Sequence, residues 1–530
     1  MRLPMACAAL LLGAVSACTD DATVAPIQRQ ASAAAAAATD PLGNVNRLPP
    51  SLEQKVGRLR ADLESKGYAV ARGYWTLWGI EQCKYPIQML GYCYGNNPTA
   101  PYVLPVVPQW KDEFVDQRFH HALLEPQRNM IANYRIDEQE ALVILAEMPP
   151  EAKYFGIQSN VFTRVGVLNT ADPILPNVAV DPLLQGILFG VSPDPSRRML
   201  IASIGNSTNN VVMDRKSGQP WGQQRFFVIT PDADVADAIT DALVRAGVPS
   251  ANDVFVEPVA PDLVNVGLGR NADDLITYIR YAKPNDQTAG EQWRQQLPLT
   301  ILRVRDTTHS RPANPFPIPA YEQRSYNFDE NVLANDRFSL INAVRAHWGD
   351  PAITPRGFFS AYKFLDLIGQ HCLGYPVATR GPMDCLGDTQ DADYQISQSV
   401  SIDDDTVVAV VGTLATRTGN ATYTSLSVNW FPNLVGVKNI DDTELDGSAA
   451  AFAGALQHDA GYFYVYYIAR DCTGLMPYCV AVPRKLVPIG EIIKVIQRNY
   501  VSPGSQRGPD PNKLLNPVAI LLNGRQRPAQ

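Results

Sequence analysis

A serine on a tight turn, an asparagine, and a histidine three residues after an aspartate follow one another in the order acyl-transfer chemistry can use. The run IASIGNSTNN over 201–210 sets Ser207 on a turn after an apolar strand. Asn271 comes next, in Gly269-Arg270-Asn271, and Asp306-Thr307-Thr308-His309 closes the set. In such a set Ser207 attacks a carbonyl, Asn271 donates to the oxyanion, and His309, oriented by Asp306, takes the proton.

Other chemistry-bearing groups are present but fit no tight pattern. Carboxylates gather at Asp388, Asp391 and Asp393, at Asp403 to Asp405, and at Asp441, Asp442, Glu444 and Asp446. Calcium wants six to eight oxygens, yet none of these runs has the register of an EF-hand loop, so turns and caps are the expected role and no metal is expected. His120 and His121 are adjacent, and neighbouring side chains diverge, which disfavours one shared metal. Gly267 and Gly269 lack the third glycine and preceding strand of a dinucleotide turn, and no cofactor is expected. The net charge is −8 and no Lys/Arg block exists to follow a phosphate backbone, so nucleic-acid binding is not expected. Tyr462, Tyr464 and Tyr466 share a face by period two and are expected to cover a core.

Eight cysteines occur. Cys7 and Cys18 lie at the N-terminus, and six remain as close pairs: Cys83 with Cys93, Cys372 with Cys385, and Cys472 with Cys479. An even set in an exported chain reads as a disulfide framework. Six cysteines allow many pairings, and the clustering favours nearest neighbours. Cys18 ends the run LLLGAVSAC behind Arg2, an apolar stretch too short to span a bilayer and shaped like a removable export signal. No later segment is long and apolar enough for a membrane helix.

The elements that must position these groups come from periodicity. Residues 51–66 form a helix candidate capped by Ser51, with Leu52, Val56, Leu59 and Leu63 on one face. Strands are expected at 68–80, 140–147, 153–164, 199–205, 225–230, 254–259 and 299–305. Helices are expected at 235–247 and 272–282. Residues 211–222 read as a hairpin. Four prolines in nine residues mark an extended connection near 311–319. Beyond it come a helix over 338–349, strands at 407–415, 422–431 and 462–470, a hairpin turn at 416–421, and a C-terminal helix over 490–501. The fold class is therefore α+β: an α/β layered N-terminal domain followed by a mainly β C-terminal domain. The expected layout is a signal peptide over 1–17, a flexible tether over 18–48, the α/β domain over 49–305, a Pro-rich connection over 306–336, the mainly β domain over 337–485, and a C-terminal helix and tail over 486–530.

Three resemblances attach to these residues. Val15-Ser16-Ala17-Cys18 resembles the lipobox of bacterial lipoproteins. That implies cleavage before Cys18, acylation of its thiol and amino terminus, and a membrane partner engaged through that N-terminal lipid at the periplasmic or extracellular face. The segments YGNNPTAPY, MPPEAKYFGIQSNVFTR, GDTQDADY and RTGNATY resemble those of an uncharacterised family of exported proteins, which implies no activity. The order of the Ser207, Asn271 and Asp306–His309 blocks is similar to that of the SGNH/GDSL esterases. Asn206 and Ala272 depart from that pattern, as does the hairpin-like stretch where that fold has a helix. The favoured reading is a lipid-anchored envelope protein with a binding or structural role, and the alternative is an esterase acting on an envelope or extracellular ester.

Overall fold

The apolar runs of this chain are rich in Val, Ile, Tyr and Phe, which suit a pleated surface, and they build two large curled sheets. The computed structural model describes residues 46–166, 186–188, 194, 196–349, 355–376, 382–431 and 433–526. The export-signal segment, Cys18 and nearly all of the expected tether lie outside the described residues.

The first sheet contains β1 (Tyr68–Trp78), β2 (Tyr102–Pro108), β3 (Met130–Ile131), β4 (Glu140–Glu147), β5 (Ala152–Val165), β6 (Arg197–Ser203), β7 (Thr208–Asn209), β8 (Gln224–Thr230), β9 (Val254–Pro258), β10 (Asp274–Pro284) and β11 (Leu299–Asp306). Its order is β6-β5-β10-β2-β1-β11-β4-β8-β9, with β3 on β2 and β7 on β5. Only β8 and β9 run parallel. The second sheet contains β12 (Arg356–Ser360), β13 (Ala392–Ser397), β14 (Val400–Ser401), β15 (Thr406–Thr413), β16 (Tyr423–Phe431), β17 (Val435–Asp441), β18 (Phe463–Ala469), β19 (Cys479–Ala481), β20 (Ile492–Tyr500) and β21 (Val518–Asn523). Its order is β17-β16-β20-β13-β12-β21-β15-β18-β19, with β14 on β20. The fold is mixed α+β and mainly β.

Two helices cover one face of the first sheet. Pro50–Ser65 buries Leu52, Val56, Leu59 and Leu63, and Ala233–Arg245 buries Val235, Ile239 and Leu243 in the same apolar cluster. Ser51 does not cap the first helix. Pro50 stands at its first position, where a missing N–H costs nothing, and no side chain caps it. The second helix starts on Asp232, whose carboxylate accepts from the Val235 amide at 2.9 Å.

Four local expectations are corrected by tertiary pairing. Residues 274–282 lie in β10, and 272–282 hold no helix, because the strand is buried along its length between β5 and β2, and burial on both faces erases the alternation that marks a strand. Residues 492–500 are likewise β20, held between β16 and β13, so the C-terminal helix expected over 490–501 is replaced by a strand. Residues 211–222 hold the helix Asn210–Ser217, not a hairpin; the Asn209 side chain accepts from the amides of Val211 and Val212. The turn at 416–421 joins no hairpin, since β15 pairs with β18 and β21 while β16 pairs with β17 and β20.

The two sheets share their cores. One apolar cluster runs from Trp75 and Ile279 to Ile396 and Ile496, and a second from Leu104 and Phe162 to Leu426 and Val495. Loops are exchanged as well. Cys93 and Gly95 donate backbone bonds to Asn433 and Leu434, while Cys385 and Gly387 donate to Leu200 and Ile201. Two glycines permit this closeness. A Cβ on Gly436 would strike the Asn96 carbonyl, and one on Gly369 would strike the Ser203 backbone. The Pro-rich stretch is a packed strap: Phe316 and Ala233 bond across it to Pro231 and Asn314, and the Pro319 carbonyl accepts from Gln370 at 2.9 Å.

All three disulfides join the nearest-neighbour pairs, with Cα separations of 5.2, 5.9 and 5.7 Å. They mark an oxidising compartment. Cys472–Cys479 closes the shortest loop and packs on the Leu340–Val465 cluster. Replacing both cysteines with Ala is expected to lower stability by about 2 kcal/mol, read as a shift in urea midpoint under non-reducing conditions. An unshifted midpoint means that the native loop constrains itself.

Candidate functional site

The segments YGNNPTAPY, MPPEAKYFGIQSNVFTR, GDTQDADY and RTGNATY are far apart in sequence and meet where the sheets face each other. Tyr154, Tyr423 and Tyr500 pack as one cluster with Ala100 and Ala392. Tyr500 stacks on Tyr423 at 5.3 Å and lies 4.6 Å from Tyr154, measured between ring centroids. Beside them lies a chamber of about 60 Å³, and Tyr102, Arg280 and Leu386 separate it from an adjoining space of about 40 Å³. The walls come from both sheets. β10 supplies Arg280 and Ala282, β13 supplies Tyr394 and Ile396, and β20 supplies Lys494, Ile496, Arg498 and Tyr500. The spacing is two throughout, so one face of each strand is committed to the chamber.

Two tied loops complete it. The 94–102 loop brings Tyr94, Gly95, Asn97 and Tyr102, and Cys83–Cys93 anchors its start. The 385–387 segment brings Leu386 and Gly387, held by Cys372–Cys385. Asn96 fixes the first loop on the second sheet, since its side-chain oxygen accepts from the Gly436 amide at 3.0 Å.

The GDTQDADY segment is a buried hydrogen-bonded knot. Asp388 accepts from the Ser203 amide and hydroxyl at 2.9 and 2.6 Å and from the Gly369 amide at 3.0 Å. Asp391 accepts from Tyr154, Thr389 and Asn209. Asp393 accepts from Ser360 at 3.1 Å. Each carboxylate thus has its own donors, and no group of three metal-ligating side chains occurs among the described residues. Burial pushes the Asp393 carboxyl up to about 6. Burial also pushes Asp384 up to about 7, against the bonds from Tyr92 and the Leu386 amide. Burial likewise holds the Tyr94, Tyr154 and Tyr394 hydroxyls well above their ordinary range, so they remain neutral.

The serine, asparagine and histidine singled out above are not brought together. Ser207 is buried, and its Oγ donates to Gln158 Oε1 at 2.8 Å and lies 3.3 Å from Thr389 Oγ1. His309 is exposed and its Nδ1 lies 3.0 Å from Gln139 Oε1, just before β4. Four strands separate β5, which carries Gln158, from β4 in the sheet order. Asp306 bonds to Thr308 at 2.8 and 2.6 Å, and Asn271 is exposed on the turn before β10. The helix that follows Ser207 is present, but the base it would need is absent from its surroundings. His121 Nδ1 lies 3.1 Å from Glu125 Oε2, and the His120 and His121 rings do not diverge but meet edge to face at 4.8 Å between centroids. Tyr464 and Tyr466 are buried in the core.

The two guanidinium groups of the chamber went unremarked in the sequence because each lies on a strand whose pattern reads as a helix. The available signal was the tyrosine content of the four quoted segments.

No protein-family model matches the chain, and no curated protein matches it. Among solved structures, an uncharacterised protein from Burkholderia cenocepacia is similar over 94% of this chain and 97% of its own, at 9% identity and a TM-score of 0.35. Fold and disulfides define a two-sheet α+β protein of an oxidising compartment.

Proposed function

We propose that the chain is an envelope lipoprotein, anchored through acyl groups on Cys18, whose folded part binds a small molecule in the chamber between the sheets. The observation that carries the binding role is the chamber itself. Both sheets and two disulfide-tied loops wall it, apolar surface dominates it, and a few fixed donors point into it, as in small-molecule sites generally. Ester hydrolysis is not favoured, because Ser207 has an amide oxygen and a hydroxyl for neighbours and no imidazole. The lipobox-like residues and the three disulfides support the envelope placement.

Two experiments test this reading. Full-length chain with Cys18→Ser is expected in the soluble fraction without a lipid mass at its N-terminus, while the parent chain fractionates with membrane. Equal partition of the two overturns the anchor. For the chamber, native mass spectrometry of protein isolated from its envelope is expected to show one bound small molecule, absent from Ala282→Leu, which fills the chamber from β10. A bare mass in the parent chain counts against a binding role.

A further inference from the structure

Resting on the reading of the chamber as a ligand site, we infer that its ligand is a small organic carboxylate, with the head held by Arg280 and Arg498 and a short apolar body against Leu367, Ile396 and Phe431.

The inference comes from how this protein treats its other buried arginines. Eight arginines are buried among the described residues. Arg135, Arg197, Arg225, Arg294 and Arg303 each pair with a carboxylate. Arg507 has none, but places Nε, Nη1 and Nη2 on oxygens of Gln390 and Glu322. Arg280 and Arg498 remain. Arg280 is 6% exposed; its guanidinium lies 4.5 Å from the Tyr278 ring centroid and 5.5 Å from that of Tyr102, and only its Nη2 is hydrogen-bonded, with the Tyr278 hydroxyl at 3.1 Å and the Gly387 carbonyl at 2.9 Å. Its Nε and Nη1 meet no acceptor among the described residues. Arg498 is 5% exposed and donates to Ser427 Oγ and, at 2.7 Å, to the Gly95 carbonyl, which leaves its Nε without an acceptor. A buried charge without a counter-charge is costly. Here two such charges border the same cavity.

The surroundings suit an anion. The hydroxyls of Tyr394 and Tyr500 bond to no acceptor among the described residues, and both feel both guanidinium groups. They stay protonated and can donate. Carboxylates nearby are spoken for: Asp391 by Tyr154, Thr389 and Asn209, and Asp388 by Ser203, Gly369 and Gln390. Guanidinium groups match the planar two-oxygen head of a carboxylate. The size sets the body. A water needs roughly 10–15 Å³ of such space, so about 60 Å³ admits a head and a few carbons.

The test is calorimetric titration of the full folded chain with butyrate, with butyramide as its neutral isostere, and with inorganic phosphate. Butyrate is expected to bind at least ten-fold more tightly than either. Arg280→Met is expected to lower butyrate affinity at least ten-fold while the ligand-free protein melts close to the parent, because removing a buried charge that has no carboxylate partner offsets the lost bonds to Tyr278 and Gly387. Ala282→Leu is expected to abolish the butyrate heat. Butyramide binding as well as butyrate keeps the chamber as a site and overturns the anionic ligand. Phosphate binding as tightly as butyrate overturns the organic carboxylate. No heat from any probe, together with no bound mass in the isolated protein, overturns the binding role and this inference together. An Arg280→Met protein that binds butyrate like the parent also overturns the inference.

Discussion

Arg303→Met is expected to cost about 3–5 kcal/mol, the typical loss when one partner of a buried ion pair is removed, and so to threaten folding itself. Arg303 has no exposed surface and lies on β11 between two carboxylates. Its Nε donates to Glu140 Oε1 at 2.6 Å and its Nη1 to Glu113 Oε2 at 2.6 Å; Nη1 and Nη2 also reach the carbonyls of Pro108 and Arg135. Trp110 and the Arg135 amide add donors to the same carboxylates. The group ties β11 to β4 and to the 108–113 loop. Met fills similar space but leaves two carboxylates dry. Burial holds the Glu140 carboxyl above its ordinary range even with Arg303 opposing it. Without Arg303 a proton must replace the lost charge, so the deficit is expected to shrink between pH 8 and pH 5. Urea unfolding at both pH values measures this. The triple variant with Glu113→Gln and Glu140→Gln is expected to recover part of the loss. A single variant that matches the parent at pH 8 refutes the account.

What sequence alone revealed follows a physical division. Strands with one wet face, and helices with one apolar stripe such as 52, 56, 59 and 63, carry their geometry in periodicity. The disulfides were legible because each closes a short local loop. β10 and β20 were not, because burial on both faces gives a near-continuous apolar run whose few polar residues fall at spacings a helix also allows. That misreading hid the candidate site. Read with period two, Tyr278, Arg280 and Ala282 fall on one face, as do Lys494, Ile496, Arg498 and Tyr500. Read with period 3.6, they scatter. The chamber exists only when strands from opposite ends of the chain are apposed, and no local pattern encodes that. The Ser207, Asn271 and His309 order failed for the converse reason: sequence order does not fix the distance between β5 and β4, and the sheet order keeps them apart.

A second large effect should appear as a gain. Glu257 lies on β9, the last strand of the first sheet, yet its carboxylate accepts from the Ser159 amide and hydroxyl at 2.8 Å each, on β5 near the opposite end. The curl of the sheet closes through this contact. Ser159 passes the network to Thr277 and Tyr134, all buried. Burial pushes the Glu257 carboxyl up to about 7 against both Ser159 bonds, from an ordinary value of 4.5. The folded chain therefore holds the proton more tightly than the unfolded chain. The resulting stability is fully present below pH 4.5 and is lost as pH rises through 7. A shift of this size corresponds to about 3 kcal/mol at roughly 1.4 kcal/mol per unit. Gln at 257 keeps the shape, accepts from the Ser159 amide and never ionises. Glu257→Gln is thus expected to exceed the parent in stability at pH 8 by up to about 3 kcal/mol and to show no advantage at pH 4.5. Asp384 and Asp393, pushed up to about 7 and about 6, make the parent's own curve fall over the same window. The difference between variant and parent cancels them. A difference that stays flat from pH 4.5 to 8 means that Glu257 ionises as easily in the fold as outside it, and the closure of the sheet then rests on something other than a shared proton.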